Sequence, residues 1–202
     1  MPTGMGGQEI ALLVGSYLIG GIPFGLIIGK ARGVDLRKVG SGNIGATNVA
    51  RNLGMRWGVI CLVLDLLKGV GPTLAARLLL APGPLTSWIT GGAMLAVVCG
   101  HMFTPYLLLR GGKGVATALG VLLAICPWAG LISGLLYVGL YAVLRISSVG
   151  SMALTISAPI ALYLFGVPRE QQLAFLAIAA LIVLKHIPNF RRLIHGDEGK
   201  LG

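Results

Sequence analysis

Long apolar runs with scarcely a charge in them recur along this chain, and they decide what it can fold into. A helix needs about 20 mainly apolar residues to cross a bilayer. The runs place spans near 9–29, 57–80, 88–106, 115–129, 130–146, 149–166 and 171–189. Residues 115–146 form one run that is too long for one helix and short for two. Cys126-Pro127-Trp128-Ala129-Gly130 offers a break, because proline removes a donor and glycine permits a turn. Two short helices are expected there; one long kinked helix is the alternative, and it would reverse everything after it. Composition agrees with a membrane location: 55% of the residues are hydrophobic and 11% charged, where a soluble domain is about a quarter charged. The expected fold is all-α, a polytopic bundle of seven transmembrane helices in one domain, 1–202.

The basic residues give the bundle an orientation. With the N-terminus outside, the inner segments hold Lys30, Arg32, Arg37, Lys38, Arg51 and Arg56, then Arg110 and Lys113, then Arg145, then Lys185, Arg191, Arg192 and Lys200. Arg77 and Arg169 fall outside, and Lys68 falls within a span. This asymmetry predicts N-out and C-in, with every polar block on the cytoplasmic face. The net charge of +10 then reflects loop placement and attraction to anionic lipid, not nucleic acid, because the basic residues punctuate spans rather than line a soluble face. The start, Met1 to Gln8, has no positive n-region, so the first span is expected to be retained.

Smaller features of the spans fit packing. Gly21, Gly25 and Gly29 repeat along the first span and predict a small-residue helix contact, with Pro23 as a kink. Asp65 and Lys68, three residues apart within a span, predict an intrahelical ion pair. Cys61, Cys99 and Cys126 are odd in number and sit in apolar stretches, which predicts core packing rather than disulfides. No 20–50-residue repeat supports a transporter built from inverted halves.

Two polar blocks break the apolar pattern. The first is Ser41-Gly42-Asn43-Ile44-Gly45-Ala46-Thr47-Asn48 with Arg51; the second is Arg110-Gly111-Gly112-Lys113-Gly114-Val115-Ala116-Thr117. Backbone N–H groups approach an anion closely where no Cβ intervenes, and Lys or Arg supplies the countercharge. Ser41, Asn43, Thr47 and Asn48 can donate to phosphate oxygens or a polyol, and Arg51 can clamp a phosphate bidentately. A solvated turn with helix caps is the plainer reading of the first block's opening residues. The second block precedes a span, which puts its glycine amides and Lys113 at a helix N-terminus. It is not a Walker A loop: Gly114 follows the lysine, and Leu107 stands where the first glycine belongs. Arg145-Ile146-Ser147-Ser148 adds donors at the same face.

Much chemistry is disfavoured. No histidine pair or inner carboxylate cluster suggests a metal. No Ser-His-Asp order or nucleophile elbow is present. The membrane acyltransferase signature of His followed five residues later by Asp fails, since Tyr106, Arg191 and Lys200 follow His101, His186 and His195 at that spacing. His101 and His186 lie at cytoplasmic span ends, as packing residues or participants.

Taken together, the blocks resemble the bacterial acyl-phosphate:glycerol-3-phosphate acyltransferases over nearly the whole chain. The carriers are Gly40 through Asn48 with Arg51, Asp65-Leu66-Leu67-Lys68-Gly69, Gly100-His101, Gly111 through Thr117, Ser147-Ser148, and His186 with Asn189. The family's Phe-Pro after Gly-His is loosened here to Met102-Phe103-Thr104-Pro105, and Lys185 stands where the family has Arg. The resemblance implies acyl transfer from acyl phosphate to the 1-position of sn-glycerol 3-phosphate, at the cytoplasmic face of a bacterial inner membrane. Membrane lipid is the surrounding partner; no cofactor and no metal are implied. The catalytic set it implies is Ser41, Arg51, Lys113, His186 and Asn189. The phosphate-binding set is Gly42, Asn43, Gly45, Thr47, Asn48, Gly111, Gly112, Gly114, Thr117, Ser147 and Ser148. Because an acyl phosphate is already activated, the glycerol hydroxyl can attack directly. The departing phosphate is the expected proton acceptor, and His186 is the alternative. A carrier for small phosphorylated metabolites is the rival reading; phosphatidyl-alcohol transfer would need a metal-binding Asp cluster that the sequence lacks.

Overall fold

A computed structural model describes residues 5–198; Lys200 of the inner charge set and the first four residues of the expected signal-free start lie outside them. Every regular element among the described residues is a helix, as lipid demands of a spanning backbone that must satisfy its own N–H and C=O groups. Its helices are α1 (Gly7–Gly21), α2 (Phe24–Ala31), α3 (Ala46–Leu53), α4 (Met55–Leu78), α5 (Pro84–Met102), α6 (Val115–Ile125), α7 (Pro127–Leu144), α8 (Ser147–Leu164), α9 (Arg169–Lys185) and α10 (Ile187–Ile194).

Seven helical segments stand where seven spans were expected, but they do not all have spanning length. Among the described residues five pass by length and apolarity: Gly7–Ala31, Met55–Leu78, Pro84–Leu107, Pro127–Leu144 and Ser147–Leu164. A sixth is counted if Arg169–Lys185 and Ile187–Ile194, bent by 46°, form one span. Helix α6 has only 11 residues, because the chain breaks at Cys126 rather than at 129. The break is a reversal: a Cβ on Gly130 would press on the Leu123 side chain, and one on Gly134 would reach Leu119. Residues 115–144 therefore form an antiparallel hairpin, not a kinked rod.

Close crossings rest on glycine. Gly20 and Gly100 let α1 and α5 meet backbone to backbone, against Val97 and Tyr17; Gly69 and Gly120 do the same for α4 and α6, against Thr117 and Leu66. The Gly21-Gly25-Gly29 row departs from expectation. It receives mainly connecting segments: the 3-10 turn at Pro105 and Tyr106 at Gly21, the Ile44 carbonyl with Cys61 of α4 at Gly25, and Val34 and Leu36 at Gly29. Pro23 does more than kink the first span, since α1 ends at Gly21 and α2 begins at Phe24. The carbonyl of Ile22, freed by that break, accepts a hydrogen bond from Lys68 Nζ at 3.0 Å.

The main core joins α5, α6, α8 and α9 around Met94, Val98, Leu122, Leu154, Leu162 and Phe175. All three cysteines are free, with Cys61 and Cys126 buried. Asp65 and Lys68 form the expected ion pair at 2.8 Å, both almost wholly buried.

Candidate active site

The first polar block is a loop organised by one buried side chain. Asn48 Nδ2 donates to the carbonyls of Leu36 at 3.1 Å, Val39 at 3.1 Å and Asn43 at 2.8 Å. Its Oδ1 accepts from the Ser41 amide at 3.0 Å and from Asn52 Nδ2 at 3.0 Å. An amide so occupied has little left for a ligand. Among the expected phosphate ligands, Asn48 is the one whose side chain is taken up in folding the loop. Gly40, at φ +56, leaves the room that Asn48 Oδ1 occupies. The amides of Gly42 and Gly45 are also taken, by the Val39 carbonyl and Asn43 Oδ1. Ser41 is exposed at the loop's tip, and Arg51 stands in the last turn of α3.

The second block is held differently. The Gly111 amide donates to the Met102 carbonyl at 3.1 Å and the Gly112 amide to the His101 carbonyl at 3.0 Å. The expected cradle of glycine amides is thus corrected in part, because two of its donors tie the loop to the end of α5. Gly114, at φ +87, is the N-cap of α6 and has no side chain to cap it, so the first-turn amides lack intrahelical acceptors. Thr117 is wholly buried, and its hydroxyl has no hydrogen-bond partner.

Alternation of the helices brings these segments together. Lys113 Nζ donates to Asn189 Oδ1 at 2.5 Å. Asn189 Nδ2 donates to Glu198 Oε1 at 2.5 Å, and Arg192 Nε to Glu198 Oε2 at 2.8 Å. Thr47 and Ser147 hydroxyls meet at 3.1 Å, and Tyr137 OH lies 2.9 Å from Ser147 Oγ. Ser148 sits beside Glu198 with its Oγ buried. Residues more than 100 positions apart in sequence therefore share one polar end of the bundle.

Burial pushes the Lys113 ammonium down to about 8; Glu198 opposes that shift, and the nearby charges of Arg192 and Arg51 add to it. Partial burial would raise the Glu198 carboxyl, but the bonds from Asn189 and Arg192 outweigh it and hold it below the ordinary carboxylate range. His186 is buried, and its Nδ1 lies 2.8 Å from the Ile182 carbonyl. A carbonyl only accepts, so Nδ1 carries the proton of the neutral ring and Nε2 is the basic nitrogen. Among the described residues no group of three or more His, Cys, Asp or Glu is placed to hold a metal.

Sequence reading missed Tyr137, Arg192 and Glu198. The one signal for them is that a tyrosine faces its own helix's successor and an acid follows a basic tail, and neither is distinctive.

Comparison with known proteins decides the family. A family model described as glycerol-3-phosphate acyltransferase matches residues 10–196. The chain belongs to that family. Relatives carrying the same name include one from Anaeromyxobacter sp. (strain Fw109-5), 45% identical over 194 residues, with 95% of this chain and 96% of the relative covered. Another, from Aquifex aeolicus (strain VF5), is 44% identical over 191 residues, with 95% and 98% covered. Crystal structures of PlsY (YgiH), an integral membrane glycerol 3-phosphate acyltransferase, superpose on it closely. The glycerol 3-phosphate form gives a TM-score of 0.92 at 43% identity, covering 97% of this chain and 96% of that one. The lysophosphatidic acid form gives 0.90 at 41% identity, with the same coverage.

Proposed function

We propose that this protein transfers a fatty acyl group from acyl phosphate to the 1-hydroxyl of sn-glycerol 3-phosphate, releasing lysophosphatidic acid and inorganic phosphate. The observation that carries the reading is the convergence of Lys113, Asn189, Arg51 and Ser147 at one end of a membrane bundle whose solved relatives are named for glycerol 3-phosphate and lysophosphatidic acid forms. Both substrates bring phosphate, one from water and one on a lipid tail, and the site has fixed cations for both.

The chemistry needs no enzyme nucleophile. The hydroxyl oxygen attacks the acyl carbonyl carbon, the bond from that carbon to the phosphate oxygen breaks, and phosphate leaves with the electron pair. The hydroxyl proton goes to the departing phosphate, with His186 Nε2 as the alternative acceptor. Lys113 and Arg51 hold the phosphates and offset developing charge; Ser41, Thr47, Asn189, Ser147 and Ser148 orient them, through proximity and preset dipoles. Asn43 and the amides of Gly114 and the first turn of α6 complete the phosphate contacts. The enzyme works in a bacterial inner membrane with its site cytoplasmic. Seven passes, N-out and C-in, are the topology that the loop charges and the α6–α7 hairpin support, with α6 as a short pass.

The test is purified protein with acyl phosphate and labelled glycerol 3-phosphate, scoring lysophosphatidic acid and phosphate in equal amounts, without ATP or magnesium. Product from acyl-CoA alone, or a trapped acyl-enzyme, overturns the donor. Cysteine labelling at Gly83 from outside, and at Lys38 only after the membrane is opened, tests the topology; the reverse pattern overturns it.

A further inference from the structure

The function above uses Lys113 but not the buried polar group behind its loop. His101, in the last turn of α5, is 6% exposed and lies between two elements. On one side its Nδ1 is 3.7 Å from Asp65 Oδ1 of α4, which also holds Lys68 at 2.8 Å. On the other side its ring edge faces Gly112: a Cβ there would meet Nε2 first and Cε1 at 2.9 Å. The His101 carbonyl also takes the Gly112 amide. Gly111 differs, since a Cβ on it would strike the His101 backbone carbonyl rather than the ring.

We propose that His101 is the positioning residue of the Lys113 loop: its ring fills the space beside Gly112 and fixes the loop that carries the lysine. Gly112 is then glycine because a histidine occupies its side-chain space, not because a phosphate must approach its backbone. This rests on Lys113 serving the phosphate site.

The claim is steric and so allows rescue by a second substitution. Gly112→Ala should raise KM for glycerol 3-phosphate at least about tenfold, with kcat less affected, because the loop shifts away from His101. Adding His101→Ala should return most of that KM, while the same addition should not help Gly111→Ala, whose obstacle is backbone. His101→Gln puts an amide nitrogen near the ring Nε2 position and should stay within a few-fold of the parent; His101→Asn reaches only toward Asp65 and should raise KM as His101→Ala alone does. If Gly112→Ala does not yield folded protein, the claim predicts that His101→Ala restores a monodisperse detergent-solubilised protein. A double variant no better than Gly112→Ala, in KM or in folded yield, overturns the proposal and returns Gly112 to ligand contact. Lys113→Ala retaining its KM would instead sink the phosphate-site reading, leaving the His101 rescue of folding intact.

Discussion

The two glycine-rich blocks look alike in sequence and are built on opposite plans. The Ser41–Asn48 loop is organised from within, by an asparagine that gathers three carbonyls and an amide of its own segment. The Gly111–Gly114 loop is organised from outside, by the carbonyls of His101 and Met102 at the end of α5. In both, backbone donors that look available for an anion are spent on holding the loop. Glycine density therefore marks tight loop construction at least as much as ligand approach. The cations and hydroxyls such loops present, Arg51 and Thr47 in one and Lys113 in the other, are the better markers of the site.

The sharpest way to break that comparison is to remove the presented groups. Lys113→Ala and Arg51→Ala should each reduce turnover tens-fold or more, since a phosphate left without its cation in a half-buried site loses roughly 2–5 kcal/mol. Both variants should still fold and insert, and steady-state rates with size-exclusion profiles check both points. Near-normal turnover for Lys113→Ala at saturating substrate would reduce the second loop to a helix start.

Next in size is Asn48→Ala. It leaves the carbonyl of buried Leu36, among others, without a donor, at about 1–3 kcal/mol for each group that water cannot reach. Activity should fall together with thermal stability, whereas Arg51→Ala should lower activity alone. If Asn48→Ala lowers activity at unchanged melting temperature, Asn48 is a ligand and the internal plan is wrong.

A pH series separates the loops more finely. Lys113 is held down to about 8, so its charge is complete well below that pH and is lost as pH rises through it. Phosphate binding should follow, with KM for glycerol 3-phosphate rising above about pH 8 after the substrate's own second ionisation near 6 is complete. Lys113→Arg carries a charge that does not titrate in this range, and its alkaline limb should be flat. Tyr137→Phe, which removes one hydrogen bond to Ser147, should cost only a few-fold. Cys99→Ala and Cys126→Ala should keep activity within small packing losses.

Legibility followed the density of the signal. The apolar runs, the Asp65–Lys68 pair and the polar blocks are local patterns, and the helices and ion pair appear where those patterns place them. The break itself was legible at Pro127, which begins α7, but following the apolar run past the proline puts the end of α6 late, at Ala129 rather than Ile125. The role of Asn48 was hidden because an asparagine that binds phosphate and one that binds carbonyls look the same in a loop. Glu198 was hidden for another reason: its value lies in reaching Asn189 and Arg192, and nothing nearby in sequence announces that reach.

The short helix α6 has a consequence for where the two substrates meet. With 11 residues it is about 16 Å long, roughly half the thickness of a bilayer's hydrocarbon core. Its partners on α7 run from Gly130 beside Leu123 to Gly134 beside Leu119, which sets its first residue level with Val138. That level is under two turns, or about 9 Å, short of the end of α7 at Leu144. Lys113 therefore stands inboard of the end of α7, level with the end of α5 that holds its loop and with Asn189 just beyond α9. On the proposed function, a lysine set inboard of a helix end meets a lipid-borne acyl carbonyl below the level of the neighbouring headgroups, where a loop at the tip of α7 would not reach.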